Sequence, residues 1–162
     1  MRKAGRQGFT LVELLVSMGI LGLVVTLVGA GIFQGVNLSN RVSDGFKAQG
    51  DTRGPVFWLD RDIAMAYNTT LVDGAAPVTS ATFTWTNYFG GAATAHNLSY
   101  ALVGTDLQRT YDGVVSKIGR RVSAITFSRS GRVVTATVTS SQEGRFKIGD
   151  SKTVKIQMRT DG

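Results

Sequence analysis

Apolar residues fill one stretch near the start of the chain. Residues 14–33 carry no charge, and twelve of them are Leu, Ile, Val or Phe. A helix rises about 1.5 Å per residue, so a helix of this length matches the roughly 30 Å hydrocarbon core of a bilayer. The stretch therefore predicts a membrane-spanning helix.

The apolar pattern continues at helical spacing beyond this stretch. Leu38, Val42 and Phe46 recur at every fourth position, which is typical of an amphipathic helix. The pattern breaks near Pro55 and predicts a kink or a restart of the helix there. A second stripe then follows at Val56, Leu59, Ile63 and Tyr67. Phe57 and Trp58 lie off this stripe and indicate a second buried face.

The period changes to two in the rest of the chain, which predicts half-buried strands. The alternating apolar positions are Ala81, Phe83 and Trp85; Leu98, Tyr100 and Leu102; Val134, Ala136 and Val138; and Val154, Ile156 and Met158. A hairpin turn is predicted at Ser130 and Gly131. No long helical pattern separates the strands, so the sheet should be antiparallel. The predicted fold class is α+β, with one long N-terminal helix packed on an antiparallel β domain.

The charge is uneven along the chain. There are 18 basic and 11 acidic residues, and the basic ones are concentrated after residue 108. Such a surface could bind nucleic acid, or its cations could simply keep the exposed strand faces solvated. A third interpretation is contact with the acidic stretch around Asp60 and Asp62 of a neighbouring subunit. The candidate nucleic-acid residues are Arg109, Arg120, Arg121, Arg129, Arg132 and Lys147.

The sequence offers no recognisable catalytic or metal site. It has no cysteine, and its single histidine, His96, has no nucleophile signature around it and is expected at the surface. The scattered aspartates form no calcium-loop pattern. The segment "FGGAATAH" resembles a flexible connection rather than a phosphate-binding loop. No catalytic residue, cofactor or metal is therefore predicted.

A carboxylate at the edge of the apolar stretch needs an explanation. Glu13 lies immediately before this stretch, and the charged residues that precede it are all basic. One interpretation is a secretory signal cut near Gly31, although the apolar region is long for that purpose. A second is a membrane anchor in which Thr10 and Glu13 form a capping box at the start of the helix. By the positive-inside rule, the basic flank stays in the cytoplasm and the remainder of the chain lies outside.

The string "QGFTLVELLVSMGI", preceded by a short basic leader, gives a third interpretation. It resembles the N-terminus of type IV pilins and type II secretion pseudopilins. The resemblance implies that a prepilin peptidase cleaves after Gly8 and methylates the new N-terminal Phe9. It also implies that Glu13 pairs with the N-terminal amine of a neighbouring subunit during assembly, while Thr10 can still cap the helix.

The resemblance implies a domain organisation as well as a function. It predicts a leader at 1–8, a transmembrane assembly helix at 9–35, an amphipathic helical region at 36–68 and a β domain at 69–162. The chain would be a non-enzymatic minor subunit of a pseudopilus used in protein secretion, or else of a type IV pilus or competence system that takes up DNA or adheres. The strand succession is similar to that of J-type minor pseudopilins.

The resemblance also implies partners and a location. The partners would be other pilins or pseudopilins, the prepilin peptidase, an inner-membrane platform and its cytoplasmic ATPase. The protein would cross the bacterial inner membrane once and then enter a periplasmic or surface filament.

Overall fold

The computed structural model describes residues 10–89, 92–141 and 144–160. Gly8 and Phe9, the predicted cleavage site, lie outside these residues. One helix, α1, spans Leu11–Met65. The strands that follow are β1 (Asn68–Thr69), β2 (Ala81–Phe89), β3 (Ala92–Val103), β4 (Asp106–Tyr111), β5 (Val114–Gly119), β6 (Val122–Ser130), β7 (Val133–Ser140) and β8 (Ser151–Gln157).

The helix passes through Pro55 without interruption. The helix therefore does not restart at this residue, and the alternative, a kink, stays a prediction. Proline cannot donate a helical hydrogen bond, but its ring is buried here against the β domain. An alanine Cβ at Gly119 would lie only 2.7 Å from the Pro55 Cγ. Tertiary packing thus compensates for a residue that usually ends a helix.

The strands form two antiparallel sheets rather than one. The first has the order β1-β2-β3-β4-β5 and the second the order β6-β7-β8. Every pairing joins neighbours in sequence, as in a chain of hairpins. The prediction of an antiparallel β domain with a long helix is confirmed.

The chain divides into two compact units, Met1–Asn40 and Arg41–Gly162. In the first unit every described residue up to Val36 is exposed. The second unit holds a hydrophobic core to which the helix contributes Leu59 and Ile63. The sheets add the largest buried rings, those of Phe83, Tyr100 and Phe127, which pack edge-on or tilted against one another. The predicted inward positions of the strands are confirmed in β2, β3 and β7.

Several local predictions are wrong. Phe57 is 65% exposed, so it does not belong to a second buried face. Val42 and Phe46 are also exposed, because the helix turns a different stripe toward the core. The turn after β6 is formed by Gly131 and Arg132, one residue later than predicted. In the segment expected to be a flexible connection, residues 92–96 belong to β3.

Candidate functional site

The helix begins with a reciprocal cap formed by Thr10 and Glu13. The Glu13 backbone N–H donates to the Thr10 Oγ1 at 3.3 Å, and the Thr10 N–H donates to the Glu13 Oε2 at 3.4 Å. This is the capping box that the spacing predicts, and it satisfies backbone donors that the first turn would otherwise leave unpaired. Both bonds are long and exposed, so the carboxylate keeps the capacity to accept stronger bonds.

The turns after Glu13 present apolar side chains that are exposed in the part of the chain that the structure describes. An 18-residue segment of this helix has a mean hydropathy of 2.5, and none of that segment is buried. The helix is long and apolar enough to cross a membrane. The glycines at 19, 22, 29 and 31 likewise have no atom within 4 Å of an added Cβ. A bilayer or the helices of other subunits would have to cover this surface, because water does so only at a large free-energy cost.

In the second unit, a buried carboxylate on the helix joins it to the first sheet. Asp62 is fully buried and accepts hydrogen bonds from the Tyr100 hydroxyl at 2.5 Å and the Arg109 Nε at 2.6 Å. The Arg109 Nη2 donates to the second oxygen at 3.1 Å. Burial, and then the hydrogen bond to Asp62, raise the pKa of Tyr100 well above its usual value. The hydrogen bond to Asp62 also raises the pKa of Arg109.

Aromatic rings enclose the Arg109 guanidinium. Its Cζ lies 5.0 Å from the centroid of the Trp58 ring and 4.9 Å from that of Tyr111. Such cation–π contacts stabilise a desolvated cation. Arg109 is therefore a structural residue of the joint between helix and sheet, and the prediction that it belongs to a nucleic-acid surface is not supported by its position.

Two further polar contacts attach the helix to the β domain. Arg121 donates both Nε and Nη2 to the carboxylate of Asp51, each at 2.8 Å. The Thr52 hydroxyl donates to the Asp150 carboxylate at 2.6 Å. The first contact holds the helix to the connection between β5 and β6, and the second holds it to the segment before β8. Together with Asp62, they fix one face of the helix against both sheets.

His96 lies in β3, the central strand of the first sheet, whereas the sequence predicted a residue at the surface. Its side chain is 15% exposed and its Nδ1 lies 2.6 Å from the Asp112 Oδ2. The ring stacks on Tyr111 and packs against Trp85. The Asn97 backbone N–H, and then the His96 contact, lower the pKa of the Asp112 carboxyl. This cluster stabilises the turn after β4.

The six predicted nucleic-acid residues do not share one environment. Arg109 and Arg121 are engaged with aspartates, as described above. Arg129 donates to the backbone carbonyl of Gly131, and Arg132 donates to those of Met158 and Arg159. Arg120 and Lys147 are exposed. Four of the six therefore have a contact within the domain, and the two that are paired with aspartates, Arg109 and Arg121, have less charge available for binding phosphates.

Comparison with known families gives one match. The prokaryotic N-terminal methylation motif matches residues 3–29. No curated protein and no solved structure matches the chain. The match ends within the apolar helix, so it gives no information on the β domain.

The chain carries the prepilin-type N-terminus of the type IV pilin and pseudopilin superfamily. Its fold agrees with this assignment, because one long N-terminal helix packs on antiparallel sheets. The motif implies processing by a prepilin peptidase and assembly with other pilin subunits. A structural subunit held in the membrane by one helix fits both the motif and the apolar surface.

Sequence reasoning missed the residues that join the helix to the sheets. The sequence suggested Asp62 only as part of an acidic stretch that contacts a neighbouring subunit, and Arg109 only as a residue of a nucleic-acid surface. A signal was available, since Asp62 lies three positions after Leu59 and therefore on the same face of the helix as the predicted stripe. Its partners are 38 and 47 residues away, however, and no local pattern identifies them.

Proposed function

We propose that this protein is a minor subunit of a pseudopilus or a pilus-like filament, assembled after cleavage behind Gly8 and methylation of Phe9. Glu13 is the docking residue of that assembly and pairs with the N-terminal amine of a neighbouring subunit. The single observation that supports this most strongly is an exposed carboxylate at the head of an apolar helical segment, residues 11–36, in which every residue is exposed.

The environment of Glu13 explains why such a partner is needed. A carboxylate surrounded by apolar side chains or lipid is costly unless it is paired. The capping contacts with Thr10 use backbone and hydroxyl groups at 3.3–3.5 Å and bring no positive charge. An amine created by cleavage at Phe9 would supply that charge. Phe9 lies only four positions before Glu13 in the sequence, so each subunit would carry both an amine and an acid near its N-terminus, for different neighbours.

The basic leader holds the N-terminus in the cytoplasm, and the β domain lies on the other side of the inner membrane. A separate ATPase and membrane platform drive assembly. A role in secretion is the first candidate function. A pilus that takes up DNA is the second, but the internal contacts of Arg109 and Arg121 make its proposed basic surface smaller than the composition suggests.

The docking role can be separated from the capping role with three variants. Glu13→Gln keeps the size and hydrogen bonding of the side chain but removes its charge, and Glu13→Ala removes both. Thr10→Ala removes the hydroxyl of the cap and leaves the carboxylate. We expect both Glu13 variants to be inserted and cleaved normally but excluded from the filament, whereas Thr10→Ala should still assemble. The measurement is recovery of each variant in sheared filaments from cells that produce the peptidase and the partner subunits.

Two results would contradict the proposal. Normal assembly of Glu13→Gln together with loss of assembly in Thr10→Ala and Glu13→Ala would assign Glu13 to the cap alone, because glutamine keeps the cap and removes only the charge. A mature N-terminus other than methylated Phe9, found by mass spectrometry, would contradict the processing step itself.

A further inference from the structure

Over residues 46–64 the helix carries two stripes of residues, and only one of them packs on the β domain. The buried stripe consists of Ala48, Thr52, Pro55, Leu59 and Asp62. A second stripe lies two positions earlier along the chain, which is a rotation of about 200° around the helix. All of its members are exposed, and we call it the outer stripe: Phe46, Gly50, Arg53, Phe57, Asp60 and Ala64. Its alternating spacing of four and three positions is that of a seam between two helices.

The outer stripe combines uncovered aromatic rings with unpaired charges. Phe46 is 68% exposed and Phe57 is 65% exposed. Arg53 and Asp60 are exposed as well, and neither forms an ion pair among the residues that the structure describes. Seven positions, about 10.5 Å of helix, separate these two charges. A partner of this stripe must therefore cover the rings and neutralise the charges.

The membrane anchor fixes the direction of a second copy of the chain. The helix α1 contains both the apolar segment and the outer stripe. Two copies held in one membrane by this segment therefore have helices that run in the same direction. The outer stripe is directed away from the β domain, because the buried stripe on the opposite side of the helix packs on the sheets. Two copies can thus meet along their outer stripes with their β domains on opposite sides.

Contact between two parallel copies is unfavourable without an axial displacement. Each residue of the outer stripe would then lie opposite itself. Arg53 would face Arg53 and Asp60 would face Asp60, and such like-charge pairs destabilise a helix interface. Gly50 opposite Gly50 would leave the space between the helices unfilled. The outer stripe is therefore not complementary to itself in this register.

A displacement by seven residues keeps the same seam in contact and makes its charges complementary. Arg53 of the first copy then lies opposite Asp60 of the second, so a cation faces an anion. Phe46 of the first copy lies opposite Arg53 of the second, and a guanidinium beside an aromatic ring is a favourable cation–π contact.

The same displacement also makes the sizes of the side chains complementary. Phe57 of the second copy meets Gly50 of the first, where no atom lies within 4 Å of an added Cβ. Phe57 of the first copy meets the small Ala64 of the second. Each large ring therefore lies opposite a small residue, as close packing of two helices requires.

We propose that a second copy of this chain packs along the outer stripe, with its helix parallel to the first and displaced by seven residues, about 10.5 Å. The proposal rests on the proposed function for the membrane anchor that orients both copies. The apolar segment can accommodate the displacement. Residues 14–40 carry no charge, and a helix of this length, about 40 Å, exceeds the hydrocarbon core by about 10 Å. Uncharged residues can therefore cross the core in both copies.

The absence of cysteine from the sequence allows the displacement to be measured. Ser43 continues the outer stripe by one step and is exposed. Ser43→Cys and Gly50→Cys are introduced into two differently tagged full-length copies that are produced in the same cells. Helices about 8–10 Å apart bring facing Cα atoms within the range of a disulfide, so oxidation of membranes should give the mixed dimer several-fold above either homodimer. Lys47→Cys with Gly54→Cys is the matched control and should give no such excess, since both residues are exposed and seven positions apart but lie outside the stripe.

Exchanging the two charges between the copies tests the ion pair. In the displaced pair, Arg53 of the copy with Ser43→Cys meets Asp60 of the copy with Gly50→Cys. Arg53→Asp in the first copy alone, or Asp60→Arg in the second alone, should reduce the mixed dimer several-fold. The two changes together should restore it, because the cation and the anion have only changed places.

Three results would overturn the proposal. Homodimers in excess of the mixed dimer would show that the helices pack without the displacement. Equal yields from the stripe pair and the control pair, or no cross-link from either, would exclude this interface. Cross-links to a different subunit, identified by mass spectrometry, would exclude a second copy as the partner. The mixed dimer should form equally in Glu13→Gln copies and in cells without a prepilin peptidase, so a failure of processing or of Glu13 docking is detected separately, in the filaments.

Discussion

Residues 10–40 and residues 41–160 differ in whether their apolar and polar side chains find partners within the chain that the structure describes. In the first region the Leu, Ile, Val and Phe side chains are all exposed. In the second region the large residues of the strands interlock in a core with fully buried rings. The apolar side chains of the first region are therefore exposed, whereas those in the core of the second region pack against one another. A chain built in this way needs a membrane or a neighbouring subunit for one region only.

Two carboxylates on the same helix show the contrast most clearly. Asp62 has a guanidinium and a hydroxyl within 2.6 Å, both supplied by its own domain. Glu13 has only a weak cap at its helix start. A buried charge that is fully paired maintains the fold, whereas a charge left incompletely paired beside an apolar surface is available for assembly.

Truncating an apolar side chain should have opposite effects in the two regions. Phe127→Ala should destabilise the β domain by about 3–5 kcal/mol, because it removes a buried ring and leaves a cavity. Leu21→Ala should change domain unfolding by less than about 0.5 kcal/mol, since Leu21 has no contact with the core. Both are measured by denaturant unfolding of the full chain in detergent, followed by tryptophan fluorescence. The two tryptophans, Trp58 and Trp85, both lie in the domain. Similar losses of unfolding free energy in both variants would contradict the difference between the exposed first region and the packed second region.

Removing the carboxylates of Asp62 and Glu13 in turn should have different effects on the stability of the domain. Asp62→Ala leaves the charge of Arg109 without its buried partner and should cost about 3–5 kcal/mol of domain stability. Glu13→Ala should leave the same unfolding transition unchanged. The double variant Asp62→Ala/Arg109→Ala should recover part of the loss, because the unpaired charge is gone. A domain that tolerated Asp62→Ala would show that the joint between helix and sheet is not needed for folding.

Replacing glycine by alanine at two positions should distinguish a glycine that is closely packed from one that has open space around it. Gly119→Ala would place its Cβ 2.7 Å from Pro55 and should destabilise the domain by about 1–3 kcal/mol. Gly22→Ala meets no atom within 4 Å and should leave the domain unaffected. Thermal unfolding of both variants gives the comparison, and equal melting temperatures would contradict the close packing of β5 on the helix.

Alkaline pH should weaken the second region through Tyr100. Its folded pKa is raised, so its contribution to stability is complete below the unfolded value of about 10 and is lost as pH rises above that value. The loss is at most about 1.4 kcal/mol per pH unit. Tyr100→Phe should flatten this part of the curve of unfolding free energy against pH. An unchanged slope in this variant would assign the alkaline loss to other groups.

Much of the fold could be predicted because its signals are local. The apolar run, the change of period from about four to two, and the Thr10–Glu13 spacing each describe residues that are close in sequence, and period reflects the geometry of helix and strand directly. The exposure of Phe57 and the burial of His96 could not be predicted in this way. Each depends on which strand lies next to it, and that information is distributed over the whole chain.

By itself, the sequence determined the membrane helix, the prepilin-type N-terminus and the antiparallel character of the β domain. Only the tertiary structure decided that the strands divide into two sheets and that Asp62, Tyr100 and Arg109 meet. The physical reason is distance along the chain. Backbone geometry and residue type act over a few positions, whereas a buried ion pair exists only after segments more than 40 residues apart have packed together.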